Sequence, residues 1–430
     1  MTKVEEALTL VLDSVKVLDR KKVKLRDSLD KVLAEDIYAN SDIPPFPNSA
    51  MDGYALIASD TGGSSATHPR RLRVVEDLRA GYVATRSLGR GEAIRIMTGA
   101  PLPEGADAVI MVEETKKLEG LRLKVAGESE KHKGEFVEVL REIRPGENIR
   151  RAGEDLRKGE LAIKEGKVIG PAEIGLLASL GIGRVPVIRA PEVAILATGD
   201  ELLEVNETLV PGKIRSSNNY TLYGQVLHCG GIAVDLGIVG DIREEIKARI
   251  ESGLDYDMLL TSGGVSVGDY DLVKDVFVEL GMEMRFRKVA MKPGKPSAFG
   301  LIRGKPVFGL PGNPVSSMVV FEQFVAPAIL KMSGKTGPHK LEVLAILKED
   351  INKEPGRKYF LRAWVEFKDG CYWAKTTGPQ GSGILRSMSL ANALIIIPER
   401  TGEIKAGEKV RVQLWDYPGT ERIGKKITLF

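Results

Sequence analysis

Three short segments gather the residues that can hold an anion against a polypeptide backbone. They are Thr198-Gly199-Asp200-Glu201, Thr261-Ser262-Gly263-Gly264-Val265-Ser266-Val267-Gly268-Asp269, and Pro311-Gly312-Asn313-Pro314. Glycine lets backbone N–H groups approach a phosphate closely, and a helix that follows adds a favourable dipole. A single loop of this kind is an ordinary strand-to-helix turn, and Asn313 before Pro314 also suits a helix cap. Three such loops on one sheet edge form an anion site. Three acids, Glu201, Asp241 and Asp271, fall at or just after strand ends on that edge. Carboxylates beside phosphate loops suit a divalent cation, most simply Mg²⁺, bridging carboxylate and phosphate oxygens. Asp241 and Asp269 also fit helix caps. Lys292 and Lys295 flank a Pro-Gly turn, which projects two cations at set positions. Such a pair can neutralise an oxyanion or can simply be solvated.

These loops need a frame that brings strand ends together. Residues 186–335 alternate strand and helix: strands at 193–197, 233–239, 258–260 and 307–310, helices at about 220–229, 241–251, 271–280 and from 314 to about 332. That alternation predicts parallel strands with crossover helices, a doubly wound sheet whose ligands bind beyond the strands' carboxyl ends. Residues 336–430 read as a second, C-terminal β-domain of short alternating strands. Residues 51–140 carry short β-runs with frequent Gly and Pro and read as a small inserted β-barrel or sandwich. Residues 1–50 read as two helices followed by the extended run Ile43-Pro44-Pro45-Phe46-Pro47. The first helix presents Val4, Leu8, Val11, Val15 and Leu18 on one face. Residues 141–185 include a helix over 171–181 and are expected to rejoin 1–50 as one discontinuous, elongated domain.

Composition narrows the function class. The 430 residues carry 62 Lys+Arg against 59 Asp+Glu, a formal charge of +3, too balanced for a general nucleic-acid binder. Two distant cysteines, Cys229 and Cys371, exclude a disulfide framework and a cysteine-based zinc site. The N-terminus carries acids where a secretion signal carries bases. No uninterrupted apolar run approaches the roughly 20 residues of a membrane span. A cytoplasmic enzyme, with no nucleic-acid or membrane partner, is the expectation. Gln occurs only at 225, 323, 380 and 413 among abundant Lys, Arg and Glu, a pattern of heat-adapted proteins.

Two further segments are compact and polar: Asn48-Ser49-Ala50-Met51-Asp52-Gly53, with an Asp-Gly hairpin signal, and Arg150-Arg151-Ala152-Gly153-Glu154-Asp155, whose plain reading is a surface ion-pair loop. Taken in order, Pro44-Pro-Phe-Pro-Asn-Ser-Ala-Met-Asp-Gly-Tyr-Ala55, Met97-Thr-Gly-Ala-Pro-Leu-Pro-Glu-Gly-Ala-Asp-Ala108, Arg151-Ala-Gly-Glu-Asp155, Thr261–Asp271, Lys292–Pro296 and Leu310–Pro314 closely resemble the molybdopterin molybdenumtransferase family (MoeA, also the gephyrin E domain). The likeness spans nearly the whole chain and rests on six motifs that agree in sequence and spacing. Pro47 departs from it, since many members have an acidic or polar residue there.

The resemblance implies a multidomain α/β plus β protein. Its parts are a MogA-like doubly wound α/β domain, an inserted β-barrel, a discontinuous extended N-terminal domain and a C-terminal β-domain. It implies insertion of molybdate into adenylylated molybdopterin with Mg²⁺-dependent release of AMP, in a homodimer. By motif, the acidic site residues are Asp52, Asp155, Glu201, Asp241 and Asp271, the last three being metal candidates. Substrate-contact candidates are Thr98, Gly199, Ser262, Gly263, Gly264, Ser266, Lys292, Lys295, Pro311, Gly312, Asn313 and Pro314, with Arg357 and Ser387 as looser matches. Asp52 and Asp155 lie in different domains from the phosphate loops, so the active site is expected across the dimer interface. Tungstate is nearly the size of molybdate, and heat adaptation makes it an alternative. Two other readings are a molybdopterin adenylyltransferase and a scaffold of gephyrin E-domain type. The motifs around Asp52 and Asp155 argue against the first, and the intact acids argue against the second.

Overall fold

The computed structural model describes residues 1–124, 131–264, 272–337 and 340–415, and the chain divides into two units. The larger comprises Met1–Val23, Ser28–Ala34 and Pro186 onward. It begins with helix α1 (Val4–Ser14), then runs β1 (Glu192–Thr198), α2 (Ser217–His228), β2 (Ile232–Val239), α3 (Arg243–Gly253), β3 (Met258–Ser262), α4 (Leu272–Glu279), β4 (Glu283–Phe286), β5 (Ala298–Ile302) and β6 (Lys305–Leu310). Helix α5 (Pro314–Val320) continues through a π-helical turn at Phe321–Val325 into α6 (Ala326–Met332).

The sheet has the order β2-β1-β3-β6-β5-β4. Its first four strands are parallel, and β5 and β4 add an antiparallel edge. After β1 the chain goes out to β2 and returns to β3 on the other side of β1. The order therefore reverses at β1 and β3, where open parallel sheets take their ligands.

The pleat sends alternate residues of β1 to opposite faces. Val193 and Ile195 join a core with α1, α2, α5 and α6, while Ala194 and Leu196 join another with α3 and α4. Each fully buried Ile, Leu or Phe contributes about 1.5–3 kcal/mol, which holds the strand ends in register. Helix α1 covers the first face with Val4, Ala7 and Val11. The segment Pro314–Met332 is long and apolar enough to cross a membrane by composition, but 83% of it is buried as the central helix of this core.

The C-terminal strands are β7 (Glu342–Leu347), β8 (Lys358–Lys368), β9 (Cys371–Thr376), β10 (Ala393–Ile397) and β11 (Lys409–Leu414), with a short helix α7 (Leu385–Ser389) between β9 and β10. Strand β8 pairs with both β9 and β10, so the ring β8-β9-β7-β11-β10 closes into a five-stranded barrel. Closure leaves these strands no open edge. The barrel's core includes Tyr359, Leu361, Ala363 and Val365 at alternate positions of β8.

The smaller unit comprises Lys24–Asp27 and Glu35–Val185. Its main sheet orders the strands Ala108–Met111, Gly53–Leu56, Glu92–Ile96, Arg70–Leu78, Lys131–Val139 and Thr115–Lys124. Tyr54 and Leu56 enter one of its cores and Ala55 the other. The helix expected over 171–181 spans Pro171–Ser179, with proline in its first turn.

The second helix expected within residues 1–50 does not form. Leu25–Asp27 makes a 3₁₀ turn, and Asp30 takes φ 60°, a left-handed conformation that a right-handed helix interior excludes. Val32 and Leu33, a little further on, are buried without helical structure.

Candidate active site

A cleft of about 780 Å³ opens at the carboxyl ends of the parallel strands. All three glycine-bearing loops line it: Thr198, Gly199 and Glu201 after β1, Ser262, Gly263 and Gly264 after β3, and Pro311, Gly312, Asn313 and Pro314 after β6. Asp241 enters from the end of β2, and Gly383 and Leu385 from the barrel loop that leads into α7. The packing of the loops explains their composition. Gly263 has φ +100°, and a Cβ there would sit 2.5 Å from the Thr198 carbonyl oxygen. Only glycine lets the β3 loop lie against the β1 loop. A Cβ on Gly312 would meet nothing closer than the Gly263 Cα at 3.8 Å, so these two backbones face each other across little space.

Polar contacts tie the loops together. The Asp241 N–H donates to Asp200 Oδ1 at 3.0 Å, and the Asp200 N–H donates to Asp241 Oδ2 at 3.4 Å. Asp241 is thus a tie between the β1 and β2 loops; the cap position of α3 is Ile242. Lys213 Nζ donates to the Asp200 carbonyl. Asn313 stands at the cap position of α5 but its side chain makes no capping bond. Asn218 Nδ2 donates to Ser262 Oγ at 2.6 Å and to the Gly312 carbonyl at 2.8 Å, joining the β3 and β6 loops.

The first residues of α2 were missed at sequence level. Ser216, Ser217 and Asn218 line the cleft, and the helix begins at Ser217, earlier than the expected 220. Adjacent Ser and Asn before a helical run are a start signal that would have placed them there. Thr198 Oγ1, Ser216 Oγ and Asn218 Oδ1 are buried with no hydrogen-bond partner among the described residues.

Several candidates lie elsewhere. Asp271 and Ser266 fall outside the described residues. Lys292 and Lys295 are exposed and do not line the cleft, although Pro296 beside them does. Lys292 Nζ stands 5.7 Å from the centroid of the Tyr359 ring. Arg357 is half-buried just before β8. Ser387 is buried in α7; its Oγ accepts from Arg362 Nε at 2.9 Å and donates to the Ile384 carbonyl at 2.6 Å. Arg362 is itself fully buried, and burial pulls its guanidinium down to about 10.

In the smaller unit, three motifs meet. Asn48–Ser49 pairs antiparallel with Ile149–Arg150, the Gly99 N–H donates to the Ser49 carbonyl, and the Gly153 N–H donates to the Pro44 carbonyl. Asp52 Oδ1 accepts from both the N–H and the hydroxyl of Thr98, each at 2.7 Å. These two bonds, side-chain first, hold the exposed Asp52 carboxyl below the usual carboxylate range. Asp155 is exposed in a depression lined also by Arg151, Glu154, Arg157 and Glu160. The Arg151 N–H donates to Glu154 Oε2 at 2.8 Å, and among the described residues no ion pair joins Arg150 or Arg151 to the neighbouring acids.

The fold and the cleft define a multidomain α/β protein whose candidate site lies at the switch point of its sheet. Residues 2–181 match the MoeA N-terminal region (domain I and II), 194–331 the probable molybdopterin binding domain, and 345–415 the MoeA C-terminal region (domain IV). The chain is 38% identical to the molybdopterin molybdenumtransferase of Bacillus subtilis over 412 residues, 96% of this chain and 93% of that one. It is 35% identical to molybdopterin molybdenumtransferase 2 of Mycobacterium tuberculosis H37Rv over 422 residues, 97% of this chain and all of that one. The crystal structure of the molybdopterin biosynthesis moeA protein from Pyrococcus horikoshii OT3 superposes with a TM-score of 0.78 at 35% identity, covering 96% of this chain and 100% of that one. The chain belongs to the molybdopterin molybdenumtransferase family, a family of enzymes.

Proposed function

We propose that this enzyme inserts molybdate, or tungstate, into adenylylated molybdopterin and releases AMP. The observation that carries the reading is the convergence of three glycine-bearing loops and two carboxylates, Glu201 and Asp241, on one cleft. A polyanionic ligand would take backbone N–H groups from the loops and the N-terminal end of α2. The dithiolene sulfurs belong to the substrate, so the protein needs no cysteine ligands.

The carboxylates fit Mg²⁺. Among the described residues no group of three acids, histidines or cysteines is placed to hold a metal by itself. A cation held by Glu201 and Asp241 would complete its shell with water and phosphate oxygens, as Mg²⁺ does. When bound it would neutralise the charge that develops on the phosphoanhydride. Glu201 and Asp241 would hold the cation, the loop amides would orient the phosphates, and the acids of the smaller unit, Asp52 and Asp155, would act on the reacting group from a second chain of a homodimer.

The test incubates the purified chain with adenylylated molybdopterin, Mg²⁺ and molybdate or tungstate. Stoichiometric AMP and metal-loaded pterin support the reading, and their absence refutes it. Competition between the two oxyanions for product decides which metal is used.

A further inference from the structure

Asn218 carries no role in the reading above, yet its side chain touches two of the three anion loops. It is 8% exposed, at the second position of α2. The orientation of its amide follows from its partners. The Gly312 carbonyl can only accept, so Nδ2 must face it, and the second hydrogen of Nδ2 goes to Ser262 Oγ. Ser262 is 2% exposed and its Oγ therefore accepts from Asn218. A hydroxyl that accepts in this way keeps its own hydrogen for another partner, and the bond it accepts polarises that hydrogen. Among the described residues the Ser262 hydroxyl hydrogen has no acceptor, and Ser262 lines the cleft. Thr198 Oγ1 and Ser216 Oγ are likewise buried there without a partner among the described residues.

We propose that Asn218 is a positioning residue: anchored on the Gly312 carbonyl, it holds the Ser262 hydroxyl and turns it into a donor aimed at an anionic ligand. The inference rests on the reading of the cleft as a nucleotide-phosphate site. Neither contact alone would do this. The bond to Gly312 fixes which amide atom is the donor, and the bond to Ser262 spends that donor on the hydroxyl.

The test is a double-mutant cycle with AMP as the probe, measured by calorimetry on the full-length protein, with the thermal midpoint recorded for each variant. Ser262→Ala and Asn218→Ala should each weaken AMP binding about tenfold, the scale of one hydrogen bond to a charged group. The double variant should also lose about tenfold, because the two act through the same hydroxyl. A hundredfold loss in the double variant, the product of independent effects, overturns the inference, as does unchanged affinity in Ser262→Ala. If Asn218→Ala does not fold, the near-isosteric Asn218→Asp takes its place. Aspartate cannot donate to either partner, so wild-type affinity in that variant overturns the inference too. Wild-type protein that takes up no AMP overturns the reading of the cleft and this inference with it, whereas binding indifferent to Asn218 overturns the inference alone.

Discussion

Thr98 spends two donors, its backbone N–H and its hydroxyl, on the single oxygen Asp52 Oδ1, each at 2.7 Å. Thr98 and Asp52 belong to motifs 46 residues apart, brought together where the Gly99 N–H donates to the Ser49 carbonyl. Among the described residues the second oxygen of Asp52 accepts no hydrogen bond. The Asp52 carboxyl is exposed and held below the usual range by Thr98. The stability this contributes is present above the ordinary aspartate value of about 3.9 and is lost as pH falls through the lower folded value. Thr98→Val should move the Asp52 titration, followed by carboxyl NMR, up towards the ordinary value. A titration that stays in place would show that Thr98 is not the cause.

Among the described residues, Glu201 and Asp241 are the two carboxylates on the cleft wall. Glu201→Gln and Asp241→Asn should each raise the Mg²⁺ concentration for half-maximal AMP release by about tenfold or more, the lower end of effects seen when metal ligation is disturbed. Asp241→Asn carries a second effect, since Asp241 also accepts from the Asp200 N–H. Equal Mg²⁺ dependence in wild type and both variants would remove them as metal ligands.

Subunit complementation checks the shared active site. At a Mg²⁺ concentration well below the raised requirement of Glu201→Gln, Asp52→Asn and Glu201→Gln chains should each be nearly inactive. Co-expressed, they should recover about a quarter of wild-type activity, because half of the dimers are mixed and each mixed dimer has one intact site. No recovery, with mixed dimers present by mass spectrometry, would place all the acids of each site on one chain.

The buried pair Glu322–Lys340, 2.7 Å apart and 2% and 7% exposed, sits beside the π-helical turn, where Gln225 Nε2 also donates to Glu322 Oε1 at 2.7 Å. Lys340→Met leaves a buried carboxylate without its counter-ion and should cost about 3–5 kcal/mol in denaturant unfolding. Lys340→Met with Glu322→Gln should cost clearly less. Equal losses would show that the charge pair is not the reason.

Cys229 is half-exposed at most and lies near Glu322; burial first, then that negative charge, pushes its thiol up to about 12. Cys371 is exposed. Native protein at pH 8 should therefore react rapidly with a thiol reagent at one site per chain and at two after denaturation. Peptide mapping should find the label on Cys371. Rapid native labelling at Cys229 would contradict its burial.

The strand-loop-helix punctuation of residues 186–335 was readable in the sequence, because parallel strands buried on both faces leave continuous apolar runs such as Val193–Ala197, and their loops need glycine. The glycine loops and the acids Glu201 and Asp241 could be named for the same reason: their residue types serve a backbone–anion contact that any strand end would offer. What the sequence could not decide was which atoms meet. The closure of the C-terminal strands into a barrel depends on β8 pairing on both edges, which no local pattern encodes. Nor does a local pattern announce the left-handed backbone at Asp30, where the expected second N-terminal helix does not form. The joining of Asn218 to Ser262 and Gly312, 44 and 94 residues away, exists only because three strand ends stop side by side. Periodicity and turn chemistry are local and survive in a linear reading. Hydrogen bonds between distant side chains are set by packing, and only the folded chain fixes them.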